Sequence, residues 1–97
     1  MTSIQEIYKK KTKKSSKLFV KSKKIHVNGI HHNIRFFEPY PFITKSASGK
    51  FLKDVDSNKY VDYWMGHWSL ILGHAQEQIQ KKTSSQLKKK LDAWNLK

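Results

Sequence analysis

Between Phe42 and Tyr63 the chain sets three short runs of β-favouring residues around two turn signals, a spacing that fits an antiparallel meander and little else. Phe42-Ile43-Thr44 and Phe51-Leu52 flank Ser48-Gly49, and Lys53-Asp54 leads through Asp56-Ser57-Asn58 into Tyr60-Val61-Asp62-Tyr63. Runs this short, bounded by Gly, Ser, Asn and Asp, predict strands joined by tight turns. The flanking segments follow a different period. Ile4, Ile7, Tyr8, Ser15, Leu18 and Phe19 fall on one side of a helical projection with lysines between them, so an amphipathic helix is expected from Ser3 to Lys21. Ile79, Thr83, Leu87, Leu91 and Trp94 predict a second helix beyond Gly73. From Ile25 to Pro41 the periodicity stops: Asn28-Gly29 is a turn signal, and Pro39 and Pro41 exclude a helix on either side of Tyr40. The expected fold class is α+β, in the order helix, loop, short antiparallel strands, helix. Three parts follow: a lysine-rich N-terminal helix over 1–24, a loop and strand segment over 25–75, and a lysine-rich C-terminal helix over 76–97.

Ninety-seven residues make one small domain, and an apolar share of 37% suffices for a modest core. No run approaches the roughly 20 apolar residues of a membrane span, and the N-terminus lacks the apolar stretch of a secretory signal, so a cytoplasmic chain without a membrane partner is expected. With no cysteine, disulfides, thiolate metal sites and cysteine nucleophiles are excluded.

The net charge of +13 suggests nucleic acid until its distribution is examined. Residues 1–24 hold nine lysines and one acid, residues 81–97 six lysines and one acid, and the middle balances five cations against five acids. Arg35 is the single arginine, whereas base readout and phosphate recognition draw on the guanidinium fork. The lysines therefore read as solvated helix faces that stick weakly and salt-sensitively to polyanions.

Five histidines invite a metal reading, but no pair has the i, i+4 spacing that aims two imidazoles from one helix face, and His31 and His32 point to opposite sides of an extended backbone. No Gly-x-Ser-x-Gly elbow is present, and the four glycines are scattered singly, so neither a serine nucleophile nor a phosphate loop is signalled. Arg35 lies between Ile34 and Phe36-Phe37 in the loop before Pro39. Its guanidinium suits two parallel hydrogen bonds to a substrate carboxylate, or a structural ion pair with Glu38 or another acid.

Read in order, Gly29 to Phe37 with Arg35, Pro41-Phe42-Ile43 with Ala47, Gly49 and Leu52, Asp54 to Tyr63, and Ile71-Leu72-Gly73-His74-Ala75 form one pattern. It resembles the N-terminal segment of the glutamate-1-semialdehyde 2,1-aminomutases and the class III pyridoxal-phosphate (PLP) aminotransferases around them. The resemblance covers about residues 15 to 80. It departs at His31-His32-Asn33, at Ser57 in place of a turn glycine, and at Gln76-Glu77. It implies the small-domain part of a fold type I PLP-dependent transferase, a homodimer in the full-length family, whose cofactor moves an amino group within the substrate to give 5-aminolevulinate for tetrapyrrole synthesis. Arg35 matches the arginine expected to hold the substrate carboxylate, His32 matches a serine at the substrate site, and His67 or Trp68 matches an aromatic wall. Asp56 and Asn58 read as shaping a turn, and Tyr60 and Tyr63 as packing inward.

In that family the Schiff-base lysine, the aspartate at the pyridine nitrogen and the phosphate cradle lie beyond the counterpart of position 97. The chain is therefore expected to be a truncated portion without the large catalytic domain. On that expectation it is inactive alone, has no cofactor or metal of its own, and leaves the apolar stripes of its helices uncovered. Two alternatives stand beside this: an aminotransferase segment for another amino acid or amine, and a small basic protein that binds polyanions.

Overall fold

The computed structural model describes residues 3–89. Helix α1, Ile4–Lys11, starts at a capping box: Ser3 Oγ accepts the Glu6 N–H at 3.2 Å, and Glu6 accepts the Ser3 N–H at 3.1 Å. Lys9, Lys10 and Lys11 occupy its last turn, where the helix dipole favours cations. The expected single helix from Ser3 to Lys21 is broken at Thr12, whose backbone turns to φ −125° and ψ 40° before α2, Lys13–Ser22, begins.

Two contacts explain the break. Thr12 Oγ1 donates to the Tyr8 carbonyl at 2.7 Å and lies 3.0 Å from the Tyr40 hydroxyl, leaving Thr12 fully buried. Helix α2 has no side-chain cap of its own. Its first free N–H groups, on Lys14 and Ser15, are instead taken by the Asp56 carboxylate at 2.7 and 2.9 Å.

The sheet is the expected meander, ordered β1-β2-β3 and antiparallel throughout: β1 Thr44–Ser48, β2 Phe51–Asp54, β3 Lys59–Val61. Its first strand starts two residues later than Phe42, whose ring stacks on Tyr60 of β3 at 4.6 Å. Ser48 pairs with Phe51 across Gly49-Lys50, with Gly49 at φ +55°. The loop from Ile25 to Pro41 contains two short 3-10 turns, Val27–Gly29 and Asn33–Arg35.

The core is aromatic. Phe19 and Tyr40 are the buried apolar side chains among the described residues, and a chain of ring contacts links Phe36 to Phe19, Tyr40, Tyr8, Phe37, Phe42 and Tyr60 at centroid distances of 4.6 to 6.4 Å. Edge and tilted contacts of this kind contribute about 0.5–1.5 kcal/mol each beyond area burial. Of the predicted N-terminal stripe, Ser15 and Phe19 are buried and Tyr8 is half-buried, whereas Ile4 is 86% exposed and Ile7 and Leu18 are exposed. The last helix, Glu77–Lys88, is capped by the Gln76 side chain and exposes Ile79 and Leu87. Leu91 and Trp94, expected on the same face, lie outside the described residues. No described helix is long and apolar enough to cross a membrane.

Candidate functional site

The turn between β2 and β3 is organised by one carboxylate. Asp54 is fully buried, and its Oδ1 accepts the N–H groups of Asp56 and Asn58 at 2.9 and 2.8 Å. Its Oδ2 accepts from Asn58 Nδ2 at 2.9 Å and from the Tyr60 hydroxyl at 2.8 Å. Burial works against the charge, but the donors on Asn58, Tyr60 and Asp56 outweigh it and hold the Asp54 carboxyl below its ordinary value. Tyr60 moves the opposite way: burial first, then its bond to Asp54, push the phenol above its usual range. Asn58 Nδ2 also reaches the Lys11 carbonyl at 2.7 Å. Together with Asp56 it fastens this turn to the helix break. Asp54 through Tyr60 is thus a clamp between sheet and helices, and Tyr63, expected to pack inward, is 87% exposed because the chain leaves the sheet after Val61.

Beyond β3 the chain makes a four-residue helical turn, Met65–Trp68, with every residue at positive φ: 46°, 58°, 59° and 63° in order. Gly66 tolerates this, whereas for Met65, His67 and Trp68 the left-handed conformation costs roughly 1–2 kcal/mol each. Trp68 N–H donates to the Trp64 carbonyl at 2.9 Å, and Leu70 N–H to the Met65 carbonyl at 3.0 Å. The turn holds the His67 ring near His32 and the Trp68 ring near Trp64.

Three of the predicted site residues, His32, His67 and Trp68, are linked there by ring contacts, with Arg35 next to them in sequence on the His32 turn. His32 and Arg35 belong to one turn, closed by the Arg35 N–H on the His32 carbonyl at 3.0 Å. The His32 ring meets the His67 ring edge-on at 5.8 Å. His67 in turn lies 5.0 Å from Trp64, which lies 5.1 Å from Trp68. Both His67 and Trp68 therefore join the cluster, with Trp64 as the hub that links them. Sequence reading missed Trp64. Its signal was the i, i+3 and i+4 relation of Trp64 to His67 and Trp68, which under left-handed winding still brings the rings together. All five of these side chains are exposed. Arg35 is not in the ion pair with Glu38 held open above: the two ion pairs among the described residues are His74–Asp62 and Lys81–Glu77.

His74 Nε2 lies 2.6 Å from Asp62 Oδ2, with the two side chains 17% and 9% exposed. The bond to His74 is the main influence holding the Asp62 carboxyl below its ordinary value, and the N–H groups of Met65 and Trp64 add to it. The His26 and His31 rings also approach, to 4.0 Å, but among the described residues no three His, Asp or Glu side chains converge on a common point.

A Schiff-base lysine needs dry surroundings that hold its amine neutral. Every lysine among the described residues is exposed. The described residues therefore do not fit PLP by themselves; they offer a cluster of aromatic and imidazole rings and an exposed Arg35 on the turn that follows His32.

Comparison with known proteins gives this arrangement a context. No protein-family model matches the chain. A curated relative from Nitrosopumilus maritimus (strain SCM1), named glutamate-1-semialdehyde 2,1-aminomutase, is 44% identical over 75 residues, which are 77% of this chain and 18% of the relative. Among solved structures, a β-phenylalanine aminotransferase from Variovorax paradoxus superposes with a TM-score of 0.83 at 17% identity, over 87% of this chain and 20% of that one. A glutamate-1-semialdehyde aminomutase from Pseudomonas aeruginosa PAO1 gives a TM-score of 0.80 at 20% identity, over 87% and 19% respectively. The chain thus spans about a fifth of the length of the proteins it matches, and its α+β fold is the fold of that fraction.

Proposed function

Because the chain belongs to the glutamate-1-semialdehyde 2,1-aminomutase and class III PLP aminotransferase family, we propose that it forms the substrate-side wall of an aminomutase acting on glutamate 1-semialdehyde. The observation that carries this reading is the chain of ring contacts from His32 through His67 and Trp64 to Trp68, which starts at the turn that bears Arg35. In that role Arg35 holds the substrate carboxylate, and the rings bound the space beside it and keep water away. PLP supplies the amine transfer, and the lysine that binds it comes from sequence beyond this span. By itself the chain binds no PLP tightly and transfers no amine. A borohydride-reducible aldimine absorbance in the isolated chain would refute that part. The assembled enzyme is a cytoplasmic homodimer that feeds tetrapyrrole synthesis.

Arg35→Lys, made in a chimera that carries this segment in place of its counterpart in the 44%-identical relative, tests the carboxylate role. Lysine keeps the charge and loses the two-pronged geometry. One charge-assisted hydrogen bond is worth about 1.5–3 kcal/mol, so KM should rise roughly ten- to a hundredfold while kcat falls less. An unchanged KM ends the assignment. Replacement of the substrate-side serine by His32 favours a second reading, a class III enzyme for another amino acid or amine. Higher kcat/KM of the chimera for a β-amino acid than for glutamate 1-semialdehyde would select it.

The exposure of the described lysines favours a third reading, binding of nucleic acid or another polyanion at the basic ends. Affinity that survives physiological salt with sequence preference would support it. Loss that scales with salt alone means counterion release and nothing more.

A further inference from the structure

Residues 63–73 form a loop whose two ends are fastened to the sheet and to each other. Asp62 donates its backbone N–H to the Lys50 carbonyl at 2.8 Å, which roots it in the β1–β2 hairpin. His74 is bridged to Gly49 by two backbone hydrogen bonds, 2.8 and 2.9 Å long, one in each direction. Between these anchors the side chains close the ring through the 2.6 Å contact of Asp62 Oδ2 with His74 Nε2. The other oxygen of Asp62 reaches into the loop and accepts the N–H groups of Trp64 and Met65 at 2.8 and 3.1 Å. Those are the two groups at which the left-handed turn begins. Three L-residues held at positive φ persist only where their surroundings over-determine the conformation, and this one carboxylate joins every restraint at the entry of the turn.

We propose that Asp62 and His74 are positioning residues: their pairing locks the 63–73 loop so that the left-handed turn holds His67 against His32 and Trp68 against Trp64. What the turn presents depends on the function proposed above, but how it is held does not. The pair acts through the loop backbone. Neither member reaches the ring cluster, so its loss should disperse the cluster while sheet and helices remain.

The test uses the 97-residue chain carrying Trp94→Phe, which leaves Trp64 and Trp68 as its two indoles. Two indoles at 5.1 Å give a strong exciton couplet in far-ultraviolet circular dichroism, through their intense short-wavelength transition. Expected is a couplet in this parent, its reduction by at least about threefold in Asp62→Ala and His74→Leu with the hydrogen-exchange protection of sheet and helices unchanged, and its partial recovery in Asp62→Asn, which keeps an oxygen for the Trp64 and Met65 N–H groups. A second measurement covers variants that unfold. His32→Cys with His67→Cys in this cysteine-free chain should oxidise to a disulfide at least tenfold faster with Asp62 and His74 intact than with His74→Gln. A parent without the couplet, a couplet that survives Asp62→Ala, or disulfide formation indifferent to His74 overturns the proposal. Failure of the chimera to act on glutamate 1-semialdehyde while the couplet behaves as stated overturns the function instead.

Discussion

Replacing Asp54 by Asn keeps shape and volume and removes one charge from the clamp between sheet and helices, so its effect follows from the four bonds described. The two backbone donors on Oδ1, at 2.9 and 2.8 Å, remain bonded but exchange a charged acceptor for a neutral one, a loss of about 1 kcal/mol each. On the other side the new amide donates to the Tyr60 hydroxyl, which reverses its role, again at a loss of about 1 kcal/mol. Asn58 Nδ2 then faces a second donor. Its bond is lost at about 1.5 kcal/mol, because turning the Asn58 amide over would sacrifice its 2.7 Å bond to the Lys11 carbonyl. Against this gross loss of about 4–5 kcal/mol stands about 2 kcal/mol recovered by no longer burying a carboxylate. The net loss is about 2–3 kcal/mol.

Hydrogen exchange of the Asp56, Asn58, Lys14 and Ser15 amides reads this directly, since each depends on the clamp. Exchange at all four should accelerate by roughly 30- to 140-fold in Asp54→Asn, a tenfold change for each 1.4 kcal/mol. The amides of Glu77–Lys88, remote from the clamp, should change far less. Acceleration below about threefold would refute the reasoning, for it would mean that burying the charge cancels the bonds the charge makes.

Three further outcomes follow from the same geometry. Asp54 and Asp62 both have folded values below the ordinary carboxylate range, so the stability they contribute is present above the unfolded value of about 3.9 and is lost as pH falls through the lower folded values. Near-ultraviolet circular dichroism should stay flat from pH 7 to about 5 and collapse below about 4, and a midpoint above pH 5 would contradict this. Burial, with Tyr40 next, pushes the Tyr8 phenol up to about 12, so its contribution is present below the unfolded value of about 10 and disappears as pH rises toward 12; ultraviolet phenolate titration should show two late-ionising tyrosines, Tyr8 and Tyr60, of which Tyr8 ionises earlier in Tyr40→Leu. Ser57 sits at φ +71° where the family pattern has glycine, so Ser57→Gly should raise stability to urea by about 0.5–1 kcal/mol, and a decrease would show that the serine is not strained.

The elements were legible in the sequence wherever local chemistry decides them: the Asn28-Gly29 turn and the meander around Gly49 and Asp56-Ser57-Asn58. What escaped was fixed by residues far along the chain. The break at Thr12 depends on Tyr40, Asp56 and Asn58, 28 to 47 positions away for the bonds that hold it, and nothing in the run from Ser3 to Lys21 announces it. Asp56 was read as a turn former, and it is also the cap of a helix it does not belong to. The candidate site was legible as residues and illegible as an arrangement. His32, Arg35, His67 and Trp68 were suggested by the family pattern, but the ring contacts of His32, His67 and Trp68 through Trp64 depend on a turn wound against the usual hand, which no side-chain preference at Met65, His67 or Trp68 encodes. Tyr63 was expected to pack inward with Tyr60, but it lies past Val61, where the strand ends.

The winding at Met65–Trp68 has a consequence in stereochemistry. Inverting the α-carbon of a residue moves its favoured backbone region to the opposite sign of φ. Mirror-image amino acids at Met65 or His67 would therefore sit in their own favoured basin and relieve the turn, whereas almost anywhere else in the chain they would disrupt it. A 97-residue chain is within reach of chemical ligation, so a single D-residue at position 65 or 67 could separate the handedness of the backbone from the identity of the side chain.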